Sequence, residues 1–134
     1  MNKIIILIID DDTAFTESTK DLLEAYGYTV VIANNGTEGY RLATKIVPDI
    51  IILDVIMTTV NEGFEVARKI SETTELAQIP IILVTGIVKE MNISVSMEGD
   101  RKWLPVESIF DKPVPPARLI IEIERICKKL QKSL

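Results

Sequence analysis

Six polar side chains in this sequence have the types and spacing for phosphate or metal chemistry. Asp10, Asp11 and Asp12 follow the apolar run Ile4–Ile9, and Asp54 follows Ile50–Leu53. Thr85 closes the run that starts at Ile81, and Lys112 comes two residues after the short run Ser108–Phe110. Clustered carboxylates repel one another and raise each other's pKa unless a cation neutralises them. A hard divalent ion with oxygen ligands meets that need, and Mg²⁺ takes few carboxylates while keeping several waters. Such a site leaves coordination positions for phosphate oxygens. Lys112 brings a mobile positive charge and Thr85 a hydroxyl, both suited to the equatorial oxygens of a transferring phosphoryl group. Asp54 is then the candidate nucleophile, forming an aspartyl phosphate. Taken singly, each has an ordinary structural explanation: Asp12 as a helix cap, Asp54 as a turn residue, Thr85 as a β-branched strand residue, Lys112 as a surface charge. Their joint placement at four strand ends, in order along the chain, points to a site.

For these groups to meet, the elements before them must lie side by side. Lys3 to Ile9 reads as a strand buried on both faces, because it is continuously apolar beyond Lys3 rather than alternating. Asp12 or Thr13 caps a helix with Phe15, Leu22, Leu23 and Tyr26 near helical spacing, and Gly27 stops it. Thr29 to Ala33 is a second strand. Asn34-Asn35-Gly36 is a turn before a helix from Thr37 to Val47, which Pro48-Asp49 ends. Ile50 to Leu53 is the third strand, and a loop around Met57 to Gly63 leads to a helix carrying Phe64, Ala67 and Ile70. Pro80 precedes a fourth strand, Ile81 to Thr85. Residues 86–105 are weakly periodic and read as a loop with one irregular helix. Ser108 to Phe110 is a fifth strand, and Leu119, Ile123, Ile126 and Leu130 mark a last helix from Pro115 or Pro116 to about Lys132. Five strands alternating with five helices predict one doubly wound parallel sheet, helices on both faces, within a single domain over residues 1–134. In such sheets, sites form at the carboxyl ends of the strands. With strand order 2-1-3-4-5, Asp10, Asp11 and Asp54 converge.

Composition narrows the class. The 134 residues suffice for one domain, and 47% hydrophobic with 26% charged residues is globular content. A net charge of -5 gives no electrostatic reason to bind nucleic acid or an anionic membrane. The run Ile4–Ile9 is too short to span a bilayer and lacks a small-residue cleavage site, so the cytoplasm is the expected location. The single cysteine, Cys127, forms no intrachain disulfide and reads as a half-buried thiol on the last helix. The sequence has no histidine, so a histidine base or phosphocarrier must come from another protein.

The motifs ILIIDDD, IIILDVIM, IILVTG and IFDKP stand in order along the chain. With them the sequence resembles a response-regulator receiver domain of two-component signalling, over essentially its whole length. The resemblance implies a flavodoxin-like (CheY-like) α/β fold of order 2-1-3-4-5. It implies that Asp54 is the phosphoacceptor, that Thr85 is the switch hydroxyl and that Lys112 is the phosphate-contacting lysine. Asp11 would contact Mg²⁺ directly and Asp10 mainly through water, with the backbone carbonyl of Ile56 as a further ligand. It also implies a cis Lys112–Pro113 bond, the one type of peptide for which cis costs little. Three departures stand out. Met57-Thr58 replaces the usual Met-Pro, with Gly63 one residue further on than usual. The stretch between Thr85 and Lys112 is longer than typical. Ile109 occupies the position of the usual aromatic switch residue.

The resemblance implies partners as well: a sensor histidine kinase or histidine phosphotransfer protein as donor, and an unidentified downstream protein. With no output domain expected after Leu134, the signal would leave through the face made by the fourth helix, fifth strand and fifth helix. The chain is expected to be a signalling domain and not a turnover enzyme. Two other classes stay open. One is a degenerate receiver that binds partners without phosphorylation. The other is a haloacid-dehalogenase-type phosphatase, whose motif wants Thr or Val where Ala14 stands, four residues after Asp10.

In receivers, the residues two beyond the phosphoacceptor and two beyond the switch threonine flank the attacking water, and here they are Ile56 and Ile87. Neither side chain can orient water for in-line attack, so the aspartyl phosphate is expected to be long-lived. Ile56→Asn combined with Ile87→Glu should speed its hydrolysis about tenfold or more. Mass spectrometry after donor removal reads this directly, and equal decay rates would rule it out.

Overall fold

The computed structural model describes residues 3–54, 62–86 and 106–132. Their elements follow in the order β1 (Ile5–Ile9), α1 (Thr13–Ala25), β2 (Thr29–Ala33), α2 (Gly36–Ile46), β3 (Ile50–Leu53), α3 (Glu62–Glu72), β4 (Ile81–Thr85), β5 (Val106–Asp111) and α4 (Pro116–Lys132). The five strands form one parallel sheet of order β2-β1-β3-β4-β5. This is the doubly wound α/β fold that the sequence predicts, with four helices among the described residues. The irregular helix expected within 86–105 falls almost wholly outside them, as do Ile56 and Ile87.

The period of two along a strand explains the two-sided core. Leu7 and Ile9 of β1, Ile51 and Leu53 of β3, and Ile81 and Leu83 of β4 point to one face, where they meet Ala43 of α2 and Val66, Ala67 and Ile70 of α3. Ile6, Ile8, Ile50, Ile52, Ile82 and Val84 point to the other, against Leu23 of α1 and Leu119, Ile120, Ile123 and Ile126 of α4. Each of these valine, leucine and isoleucine side chains contributes about 1.5–3 kcal/mol on burial. The central strands are therefore apolar on both faces.

Element ends differ from the sequence reading for local reasons. β1 starts at Ile5 and not Lys3, because Ile5↔Thr29 is the first register pair with β2. α2 starts at Gly36, since the Asn35 side chain accepts from the Glu38 amide at 2.8 Å and sets the cap there. It stops at Ile46 because Val47 adopts φ 45°, ψ 72°. β5 is longer than expected: it pairs with β4 from Val106 to Asp111, and the polar Glu107 and Asp111 concealed those ends. Tyr26, expected on the apolar face of α1, caps the helix and is 58% exposed. Cys127 is half-buried, and burial pushes its thiol pKa up.

Two positions test this packing with opposite signs. A Cβ at Gly39 of α2 would lie 2.6 to 2.8 Å from three side-chain carbons of Ile9, whose branched side chain cannot swing aside. Gly39→Ala should therefore destabilise by about 1–2 kcal/mol, overpacking outweighing the roughly 1 kcal/mol of helix propensity gained. Val47 holds a β-branched residue in the left-handed region at an exposed cap, so Val47→Gly should stabilise by about 1 kcal/mol. Urea unfolding of both variants checks the pair, and a stabilising Gly39→Ala would contradict the close contact.

Candidate functional site at the carboxyl edge of the sheet

Backbone hydrogen bonds between neighbouring strands fix the acidic groups. The amide of Asp10 donates to the carbonyl of Ala33 at 3.0 Å, extending the β1–β2 ladder by one residue. The amide of Asp54 donates to the carbonyl of Ile9 at 3.0 Å, so β3 delivers Asp54 to the end of β1. Asp10 and Asp54 are buried, at 1% and 6% exposure, while Asp11 faces solvent. One carboxylate oxygen from each of Asp10, Asp11 and Asp54 lies within 4.8 Å of the others.

Lys112 follows β5, and its Nζ reaches into this cluster. It lies 2.8 Å from Asp10 Oδ2, 3.5 Å from Asp54 Oδ2 and 3.6 Å from Asp12 Oδ2. The Lys112–Pro113 peptide is cis. Thr85 is the last residue of β4 and pairs in register with Asp111, the residue before Lys112. The structure thus brings Asp10, Asp11, Asp54 and Lys112 together and ends β4 beside them. Ile56 lies outside the described residues. Ile109 is partly buried against the core face shared with α2 and α3.

Sequence reasoning assigned two residues here to other duties alone. Asp12 caps α1 as expected, Oδ1 accepting from the Phe15 amide at 3.1 Å, yet its other oxygen faces Lys112. Phe15, read as a packing residue of α1, places its ring centroid 4.5 Å from Lys112 Nζ. A contact between residues 97 positions apart leaves no local pattern that would have revealed it.

The electrostatics follow from burial. Desolvation pushes the pKa of Asp10 up to about 6, against the hydrogen bonds from Lys112 and the Asp12 amide; the nearby Asp54 charge pushes the same way as desolvation. Burial opposes the charge on Lys112, but its bond to Asp10 and the surrounding carboxylates outweigh that, and its pKa is raised. Three carboxylates beside one ammonium leave excess negative charge. This all-oxygen donor set, with one member open to water, fits a hard divalent cation. Among the described residues, no helix is long and apolar enough to cross a membrane.

Comparison with known proteins gives one answer. The family described as the response regulator receiver domain matches residues 6–124. Protein PilH of Pseudomonas aeruginosa is 31% identical over 124 residues, 90% of this chain and 95% of that protein. The polar-differentiation response regulator DivK of Brucella anthropi is 30% identical over 122 residues, covering 89% of this chain and 92% of DivK. The solved structure of a CheY-like response regulator receiver domain protein from Methanospirillum hungatei superposes with a TM-score of 0.85 at 28% identity, covering 99% of this chain and all of that one.

Asp10 gives the site a pH signature in metal-free protein. Its native pKa of about 6 exceeds its unfolded value of 3.8, so the native state holds a proton that the unfolded chain releases between these values. Stability contributed by the protonated form is therefore present below about pH 4 and lost as pH rises through about 6. Asp10→Asn, which carries no such charge, should be more stable than wild type by about 1–3 kcal/mol at pH 7. The gap should close toward pH 4. Denaturation in EDTA at both pH values checks this; a gap that widens on acidification would contradict the burial argument.

Proposed function

Since this chain belongs to the response regulator receiver domain family, we propose that it accepts a phosphoryl group on Asp54 and relays its presence through a change of conformation. The observation that carries the reading is the convergence of Asp10, Asp11 and Asp54 with Lys112 at the carboxyl edge of the central strands. An oxygen of Asp54 attacks the phosphorus of a phosphohistidine on a sensor kinase or phosphotransfer protein. A P–O bond forms, the P–N bond breaks, and its electron pair leaves on the imidazole nitrogen, which takes a proton. Mg²⁺ held by Asp10, Asp11 and Asp54, with the Ile56 carbonyl that the resemblance adds, would neutralise charge on the phosphoryl oxygens.

The chain's own residues do the rest. Asp54 is held in place by the hydrogen bond its backbone N–H donates to the Ile9 carbonyl, so the nucleophile needs little reorganisation. Lys112, already within 3.5 Å of Asp54, offers its ammonium to the new phosphoryl oxygens. Thr85, at the end of β4, is the hydroxyl assigned to sense them. The signal would leave through the side of the sheet formed by β5 and α4, toward a downstream protein. The chain then acts as a cytoplasmic signalling domain with self-catalysed transfer, not as a turnover enzyme.

Incubation with acetyl phosphate and Mg²⁺ should add one phosphoryl mass to the wild type and none to Asp54→Asn. EDTA or Asp11→Ala should abolish the gain while leaving the fold intact. Intact-mass spectrometry reads all arms. No gain in wild type would favour a phosphorylation-independent binding module, and modification persisting in Asp54→Asn would move the acceptor elsewhere.

A further inference from the structure

The ammonium of Lys112 has neighbours of two kinds. Asp10 and Asp54, at 2.8 and 3.5 Å, belong to the three-carboxylate cluster that suits a divalent cation. Asp12 Oδ2, at 3.6 Å, and the Phe15 ring, at 4.5 Å, both come from the start of α1 and stand apart from that cluster. A cation taking the oxygens of Asp10 and Asp54 competes with Lys112 for them, but it leaves these two contacts in place. We propose that the N-terminal turn of α1 is a holder for Lys112, with Asp12 and Phe15 acting as positioning residues that keep its ammonium beside Asp54. The proposal deepens the phosphoryl-acceptor reading and rests on it.

The two holders are mechanically linked. Asp12 divides its carboxylate: Oδ1 caps the helix on the Phe15 amide at 3.1 Å, and Oδ2 faces the lysine. The cap that starts α1 therefore also sets where the Phe15 ring projects. That ring is partly buried against the core face shared with α4, which restricts its movement. With the Lys112 side chain only 19% exposed, an aromatic face over Nζ replaces water with the negative face of a π-system. A cap and a packing residue alone would require neither a second carboxylate oxygen on the lysine nor an aromatic ring above it.

The test separates a ring from mere bulk, and a cap from a charge. Phe15→Leu keeps apolar volume, Phe15→Tyr keeps the ring, and Asp12→Ser keeps a capping oxygen without the carboxylate. The full chain is treated briefly with acetic anhydride, and acylation of Lys112 is compared with that of the exposed Lys45 by peptide mass spectrometry. Lys112 should be labelled about three- to tenfold faster in Phe15→Leu and Asp12→Ser, the range a partly shielded cation–π contact supports, and as in wild type in Phe15→Tyr. Phosphoryl uptake from acetyl phosphate should slow by a similar factor in the first two variants, at an unchanged Mg²⁺ concentration for half-maximal rate. Unchanged labelling and uptake in Phe15→Leu, or a Phe15→Tyr as impaired as Phe15→Leu, would overturn the holder. Absence of uptake in wild type would remove the acceptor reading and the positioning role with it, while the labelling arm still decides whether the turn holds the lysine.

Discussion

A carboxylate that is 1% exposed at the end of an apolar strand stays charged only if a cation stands close to it. Asp10 is in that position, and the architecture of the carboxyl edge follows from it. β1 lies inside the sheet with β2 and β3 beside it, and the Asp10 that follows it is shielded from water. Lys112 must come from β5, two strands beyond β3, and its long stem bridges that distance. Burial, which opposes both charges, also strengthens the attraction between them. Each makes the other tolerable, and Asp54 and Asp12 share the same ammonium.

That arrangement leaves the site short of positive charge. One ammonium faces Asp10, Asp12 and Asp54, while Asp11 stands at the solvent side. The imbalance makes the cluster receptive to a second cation. The hydrophobic contacts that hold the sheet lie one residue inward, at Ile9 and Leu53, and do not depend on how the edge is neutralised.

The strands were legible because parallel strands buried on both faces are continuous apolar runs. Ile50–Leu53 and Ile81–Thr85 have the same bounds in sequence and structure. The convergence of Asp10, Asp11 and Asp54 was legible for a related reason: strand order fixes which ends are neighbours. Less visible were features set by side-chain direction. Tyr26 fits the helical spacing of α1, but the chain leaves the helix there and its ring goes to solvent. Asp111 extends β5 because Thr85 of β4 offers it a partner, not because its own type favours a strand. Phe15 satisfies the same periodicity as an ordinary core residue, and only its contact with Lys112 shows what its ring covers.

The two poles of the site differ in how they are anchored. The amides of Asp10 and Asp54 are bonded into the ladder around β1, whereas Lys112 follows β5, the last strand of the sheet. In a domain that opens in cooperative pieces, interior strands open with the whole molecule and a peripheral strand at a lower free energy. The acidic pole is therefore tied to the interior of the sheet, and the basic pole to its periphery. The Lys112 ammonium thus joins the centre of the sheet to its edge across the carboxyl ends of β3 and β4.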